Sequence, residues 1–80
     1  MTEDEITERE FRQLIAERPY RRRMGRLLRD WSYHLEGYGP DVKVTDSAGQ
    51  AVDPVALCAE IQRDPARRRH LYQTAMDLWR

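Results

Sequence analysis

The chain has 80 residues, enough for one domain with a small core but too few for two. Hydrophobic residues make up 40% and charged residues 35% at zero formal net charge, which favours a folded chain over a disordered one. The sequence offers no apolar run of the roughly 20 residues that a membrane span needs, its start is acidic, and its one cysteine excludes an internal disulfide. We therefore predict a single cytoplasmic domain over 1–80, with residues 1–5 forming a flexible acidic arm.

A capping box predicts the start of the first helix. Thr7 is the expected N-cap, and Glu10 stands three residues later. Ile6 before the cap and Phe11 after it have the spacing of a hydrophobic staple. Pro19 is expected to end the helix near Glu17 or Arg18. The predicted buried face consists of Phe11, Leu14 and Ile15.

The second helix carries the clearest periodicity in the sequence. Its apolar residues recur at helical spacing, which places them on one face. They are Tyr20, Met24, Leu27, Leu28, Trp31 and Leu35. Pro19 suits the first turn and Gly37 suits a C-cap, so the predicted helix runs over 19–36 and organises the core.

The segment that follows is predicted to be non-helical. Residues 38–40 form an expected turn, and the β-branched stretch 42–45 is typical of a strand. Residues 46–49 are turn-forming, and 50–52 are expected to return as a second strand. The sequence therefore predicts a short β-hairpin after the second helix.

Two Asp-Pro pairs predict the starts of two further helices. Asp53 and Asp64 each offer a capping carboxylate before a proline in the first helical turn. The predicted helices cover 54–62 and 65–79. The expected fold is thus mainly α, with about four helices around one small core and a short β-hairpin between helices 2 and 3. The centre of this core is expected to include Phe11, Leu27, Leu28 and Trp31.

Charge is strongly segregated along the chain although the total is zero. Net charge is −4 over residues 1–17, +6 over 18–29, −5 over 30–64 and +3 over 65–80. Thirteen of the fourteen basic residues are arginine, which is consistent with a GC-rich bacterial or phage coding bias or with selection for bidentate contacts to phosphate or carboxylate. Composition alone does not separate these explanations.

Arginine clusters near the start of the second and fourth helices are the first candidate binding residues. Arginines at a helix N-terminus oppose the macrodipole, so an anion is expected nearby. That anion is either an internal carboxylate or an external partner, namely phosphate or nucleic acid, or an acidic protein. The candidates are Arg21, Arg22, Arg23, Arg26, Arg29, Arg67, Arg68 and Arg69.

The fourth helix has more apolar residues than one buried face needs. Tyr72, Met76 and Trp79 are therefore candidates for an apolar partner or dimer surface, since aromatic residues and methionine are enriched at interfaces. The alternative is that two other helices flank this one and bury all three residues.

Catalytic and metal-binding patterns do not emerge from the sequence. His34 is expected at the edge of the apolar face of the second helix, His70 on a polar face, and Cys58 in the core. No spaced ligand pair predicts zinc, and no cofactor or small-molecule substrate is expected. We predict a non-enzymatic accessory, regulatory or inhibitory module that binds a protein partner or a second copy of itself. The alternative is a nucleic-acid-binding protein, and no membrane association is expected.

Overall fold

The structure, a computed structural model, describes residues 4–80, so positions 1–3 of the predicted arm lie outside the described residues. Residues 4–80 form four α-helices and a three-stranded antiparallel sheet, which confirms the mainly α prediction. A short 3-10 turn, Gly39–Asp41, joins the first two strands. The elements are α1 (Glu8–Ala16), α2 (Arg18–Asp30), β1 (His34–Glu36), β2 (Lys43–Thr45), β3 (Ala51–Val52), α3 (Pro54–Arg63) and α4 (Pro65–Leu78).

The predicted capping box at the start of α1 is confirmed. The Thr7 hydroxyl accepts a hydrogen bond from the Glu10 amide at 3.1 Å, and the Thr7 amide donates to the Glu10 carboxylate at 2.8 Å. Ile6 and Phe11 are both buried, as a hydrophobic staple requires. The Gln62 side chain holds Ile6 in place, donating to its carbonyl at 3.0 Å and accepting from its amide at 2.9 Å.

The predicted end of the second helix is wrong. The helix ends at Asp30 rather than at residue 36, and residues 34–36 form β1 instead. Leu35 is expected to be buried in the predicted helix, where it follows Trp31 by four residues on the same face. It is also buried in the observed strand, because the middle residue of β1 faces the core. The apolar pattern alone therefore did not reveal the change.

A Schellman motif ends α2. Ser32 adopts the left-handed conformation with φ of 69°, a position that glycine usually occupies. The Tyr33 amide donates to the Leu28 carbonyl at 2.9 Å, and the Ser32 amide donates to the Arg29 carbonyl at 3.0 Å. These bonds satisfy the last carbonyls of the helix and turn the chain into β1.

The predicted hairpin is confirmed and belongs to a larger sheet. β2 lies in the centre, with Leu35 of β1 opposite Val44 on one side and Val52 of β3 opposite Val44 on the other. The Asp46 carboxylate closes the turn between β2 and β3 by accepting from the Ala48 amide at 2.9 Å. Leu35 and Val44 are buried, so the sheet packs one face on the helices.

The helices α3 and α4 begin as predicted, and each ends within one residue of its predicted bound. The Asp53 carboxylate accepts from the Val55 amide at 3.3 Å, and the Asp64 carboxylate accepts from the Ala66 amide at 3.0 Å. Within residues 4–80, no helix is long and apolar enough to cross a bilayer.

The core lies among all four helices and the inner face of the sheet. Phe11, Leu28 and Cys58 are buried there as predicted, whereas Trp31 is half-buried at the margin of the core instead of its centre. The Trp31 ring packs 5.5 Å from the Arg67 guanidinium and meets the His70 ring edge-on at 5.9 Å. Early termination of α2 explains this position, because Trp31 is the C-cap and no longer a mid-helix residue. The fully buried large side chains are Phe11, Leu14, Ile15, Met24, Leu28, Val44, Leu57, Ile61 and Leu71.

Candidate anion-binding site on the second helix

The two arginine triplets, residues 21–23 of α2 and residues 67–69 of α4, lie at opposite ends of an antiparallel helix pair. Near the start of α2, Arg23 is 3.7 Å from Asp77 at the end of α4. At the other end, Arg67 near the start of α4 packs over Trp31, the C-cap of α2. Ten residues of α4 separate these contacts, or about 15 Å along the helix. The clusters therefore do not merge into a single site.

The α4 triplet is largely occupied within the fold. Arg67 lies 3.8 Å from the Asp64 carboxylate, which also caps the helix. Arg68 is 3.8 Å from Asp4 and donates to the Gln62 carbonyl at 3.3 Å. Its side chain is only 19% exposed, so this arginine is part of the packing that holds residue 4 against α4. Arg69 is exposed and makes no ion pair with the rest of the described chain.

Arg21 has a structural role that its place in the α2 triplet did not indicate. Its guanidinium donates to the Leu35 carbonyl at 2.7 Å and to the Gly37 carbonyl at 3.1 Å, which ties α2 to the end of β1. A Cβ at Gly25 would stand 2.9 Å from the Arg21 Nη1 atom, so glycine leaves room for this side chain to cross the helix. The same guanidinium lies 5.3 Å from the centre of the Tyr38 ring.

Arg22, Arg26 and Arg29 form what we call the arginine face. They occupy successive turns on one side of α2 and span about 10 Å. All three are exposed, and none has an ion-pair or hydrogen-bond partner among residues 4–80. Asp30 at the end of α2 lies near Arg26 but makes no ion pair with another residue in 4–80, and the N-cap Glu17 makes no side-chain capping bond. This part of the surface is therefore positive although the whole chain is neutral.

The arginine face borders a concave surface of about 470 Å³. Tyr38 lies at one side of it with 52% of its surface exposed, beside the guanidiniums of Arg18 and Arg21. Sequence reasoning placed Tyr38 in a turn and gave it no role. The sequence did contain a signal, because an aromatic residue between two glycines in a turn is poorly placed to pack into a core and is therefore expected at the surface. The lining residues are Arg21, Arg22, Gly25, Arg26, Arg29 and Tyr38.

The apolar candidates on α4 do not form one open patch. Tyr72 and Trp79 are half-buried and pack against the core, whereas Met76 is 37% exposed. The structure therefore separates the three residues into two that support the core and one that lies at the surface.

The histidines and the cysteine are dispersed. His34 is exposed on β1, His70 is exposed on α4, and Cys58 is buried in α3. Burial raises the pKa of the Cys58 thiol, and a hydrogen bond from the Gln62 amide at 3.3 Å only partly opposes this. In the part of the chain that the structure describes, no group of three or more His, Cys, Asp or Glu side chains could hold a metal ion.

No protein-family model matches this chain, and neither a curated protein nor a solved structure matches it. The geometry of the arginine face is therefore the observation from which a function can be argued.

Proposed function

We propose that this protein is a non-enzymatic interaction module that binds an acidic segment of a protein partner on the arginine face. The observation that carries the proposal is the set of three exposed arginines without a partner in residues 4–80. Three like charges on one side of a helix repel one another and gain from a shared anion. A bound chain of carboxylates would supply it through forked, charge-assisted hydrogen bonds.

Local structure strengthens the preference for an anion. The first turn of α2 contains no acidic residue and the N-cap Glu17 makes no side-chain capping bond, so the positive end of the helix dipole adds to the attraction of Arg22 for an anion. Four other arginines of the two triplets already have partners, namely Arg21, Arg23, Arg67 and Arg68. The fold thus leaves the arginine face available while it uses the neighbouring cations internally.

A short acidic segment fits this surface better than a nucleic acid does. The chain carries fourteen acidic and fourteen basic residues, so a long polyanion would meet repulsive carboxylates beyond the arginine face. The concave surface beside α2 suits a few residues of an extended chain. Exposed Tyr38 next to arginines also matches the composition of protein interfaces, where both residue types are enriched.

The experiment is a fluorescence-anisotropy titration with a short labelled peptide rich in Glu and Asp. We expect micromolar binding at low salt that weakens at about 0.15 M salt. The triple variant Arg22→Glu, Arg26→Glu, Arg29→Glu should abolish binding and keep the helical circular dichroism signal. The matched control reverses three other exposed cations with the same change in charge, through Arg9→Glu, Lys43→Glu and Arg63→Glu. It should bind within about threefold of the wild type.

Labelled duplex DNA and single-stranded RNA form the second arm of the titration. Tighter binding of either nucleic acid than of the peptide, with a steep salt dependence, would replace this proposal with nucleic-acid binding. Equal loss in both triple variants would show general charge attraction and would also overturn it.

The compartment and the identity of the partner are also part of the proposal. The module acts in the cytoplasm as an accessory, regulatory or inhibitory subunit, where a lone thiol such as Cys58 remains reduced. The acidic partner is a different protein, and sedimentation of the wild type at high concentration tests the alternative that a second copy supplies the carboxylates.

A further inference from the structure

An apolar cleft of about 490 Å³ lies between the end of α1 and the 3-10 turn Gly39–Asp41. Its volume is within the range of about 300–1,000 Å³ that is typical of ligand pockets. Ile15 is buried at this place, and the other apolar lining residues keep part of their surface exposed. The apolar lining consists of Ile15, Ala16, Pro40, Val42 and Pro54. Apolar surface therefore remains accessible to a ligand here.

The polar residues that line the cleft already have partners on or beside α1. Arg12 is 3.7 Å from the Glu8 carboxylate, and the Gln13 side chain donates to the Glu17 carboxylate at 3.3 Å. Glu17 would also repel a second carboxylate. A ligand in this cleft therefore gains by burying apolar surface, and an acidic side chain, which suits the arginine face, is disfavoured here.

The turn that forms one wall of the cleft is held in place by its backbone. Gly37 has a φ of 79°, and a Cβ at this position would stand 2.9 Å from the Asp41 carbonyl oxygen, so glycine is required. The Asp41 amide donates to the Tyr38 carbonyl at 3.2 Å, and the Arg21 guanidinium donates to the Gly37 carbonyl at 3.1 Å. The wall is therefore formed before a ligand binds, which lowers the conformational entropy lost on binding.

The cleft adjoins the concave surface beside the arginine face where Arg18 contacts Tyr38. The Arg18 guanidinium lies 5.2 Å from the centre of the Tyr38 ring. Tyr38 lines the concave surface, whereas Gly39, the next residue, lines the cleft. Glu17, which precedes Arg18, also lines the cleft. Because consecutive Cα atoms are about 3.8 Å apart, a short extended segment can pass over Tyr38 and contact both surfaces.

We propose that the acidic partner segment also carries a large apolar side chain, such as phenylalanine, which docks in this cleft, an inference that rests on the proposed function. Charge complementarity directs the carboxylates of the segment to the arginine face, and the apolar lining receives the ring. An aromatic side chain can bury about 150–250 Å² of surface and therefore dominates the contacts that it makes. The partner segment is thus acidic on one side of Tyr38 and apolar on the other.

The test uses two pairs of labelled peptides with one acidic sequence. One pair ends in phenylalanine or serine, and the other begins with phenylalanine or serine, so that the two pairs cover both directions in which a segment can cross Tyr38. In one pair we expect the phenylalanine peptide to bind at least about tenfold more tightly than its serine counterpart, a ratio that we call the phenylalanine gain. The gain should persist at about 0.15 M salt, because salt screens charges and not apolar burial.

Two substitutions in the cleft and one matched control locate the ring. Ala16→Gln places a longer polar side chain in the cleft and should remove the phenylalanine gain, whereas Val42→Thr keeps the shape of the side chain, adds a hydroxyl and should reduce the gain. Both variants should bind the serine peptide within about threefold of the wild type. Ala59→Gln makes the first change at an exposed position of α3 and should keep the gain. Circular dichroism checks that each variant is folded.

The outcomes separate this inference from the proposed function. Equal binding of phenylalanine and serine peptides in both pairs, with loss in the arginine-face triple variant, would overturn the apolar docking site and leave the interaction module standing. A gain that survives in both Ala16→Gln and Val42→Thr would place the ring elsewhere and would also overturn it. Wild-type dimers that Ala16→Gln dissociates would assign the cleft to a second copy of the chain instead. Binding of none of the peptides would overturn the proposed function itself.

Discussion

Replacement of Arg21 distinguishes structural arginines from surface arginines within one triplet. Arg21→Met removes the guanidinium but keeps an unbranched chain with good helix propensity. Arg22→Met makes the same chemical change one position later, at an exposed residue without a partner in the described chain. The two variants have equal net charge, so a difference between them reports contacts rather than charge.

The magnitude follows from the bonds that Arg21 makes. Its guanidinium donates to the Leu35 and Gly37 carbonyls at 2.7 and 3.1 Å. A hydrogen bond to a charged group contributes about 1.5–3 kcal/mol when well buried, and partial exposure of Arg21 lowers this to about 1 kcal/mol each. We therefore expect Arg21→Met to lower the free energy of unfolding by about 2 kcal/mol. In a domain of this size, the unfolding temperature falls by about 8–16 °C.

Urea denaturation followed by circular dichroism and tryptophan fluorescence measures the difference. Arg22→Met should stay within about 0.5 kcal/mol of the wild type, as exposed substitutions usually do. If both variants unfold at the same urea concentration, the Arg21 bonds do not hold α2 to β1 and the division between structural and available arginines fails.

Two further substitutions test the Schellman motif and the buried thiol. Ser32→Gly should raise the free energy of unfolding by about 0.5–1 kcal/mol, because glycine adopts the left-handed conformation without strain. The control Ser47→Gly should not raise it, since the φ of Ser47 is not positive. Urea midpoints measure both variants, and equal changes would contradict the Schellman motif. Cys58 should react with an aromatic disulfide reagent far more slowly in the native state than in urea, because it is buried and its pKa is raised. Because the pKa of the Cys58 thiol is higher in the folded than in the unfolded chain, the free energy of unfolding of the wild type should fall as the pH rises above about 8.5. The Cys58→Ala variant should lack this part of the fall.

Local sequence signals were sufficient to predict where a helix begins when the N-cap side chain itself caps that helix. The side chains of Thr7, Asp53 and Asp64 each satisfy backbone donors two or three residues away, so these helix starts depend little on the rest of the chain. The hairpin was predictable for the same reason, since the Asp46 turn closes on itself. These features determined the order of one hairpin and two helices from residue 43 onward.

The end of α2 depended on information that is not local. Ser32 in the left-handed conformation gives no sequence signal, because serine adopts it at a cost that glycine avoids. Pairing of Leu35 with Val44 in the sheet and the Arg21 bonds to β1 compensate for that cost. Both are tertiary interactions, so periodicity alone extended the helix too far.

The candidate site also depends on tertiary contacts that the sequence pattern does not reveal. The sequence located the eight arginines but could not divide them, because the partners of Arg23 and Arg68 come from residues 77 and 4 at distant places in the chain. Charge segregation therefore pointed to the helix that carries the candidate site, and tertiary contacts divided its arginines into paired and unpaired ones.

The position of Arg26 yields a final prediction that separates a built site from general charge attraction. Arg26 lines the concave surface beside Tyr38, the cavity between α2 and α4, and a third shallow surface near Pro19. Arg29 lines the first of these. Arg26→Met should therefore weaken binding of the acidic peptide by about tenfold, whereas Arg29→Met should weaken it by about threefold. Anisotropy titrations at about 0.15 M salt measure both quantities. Equal losses in the two variants would mean that the partner senses only the number of charges, and the cavities would then have no part in recognition.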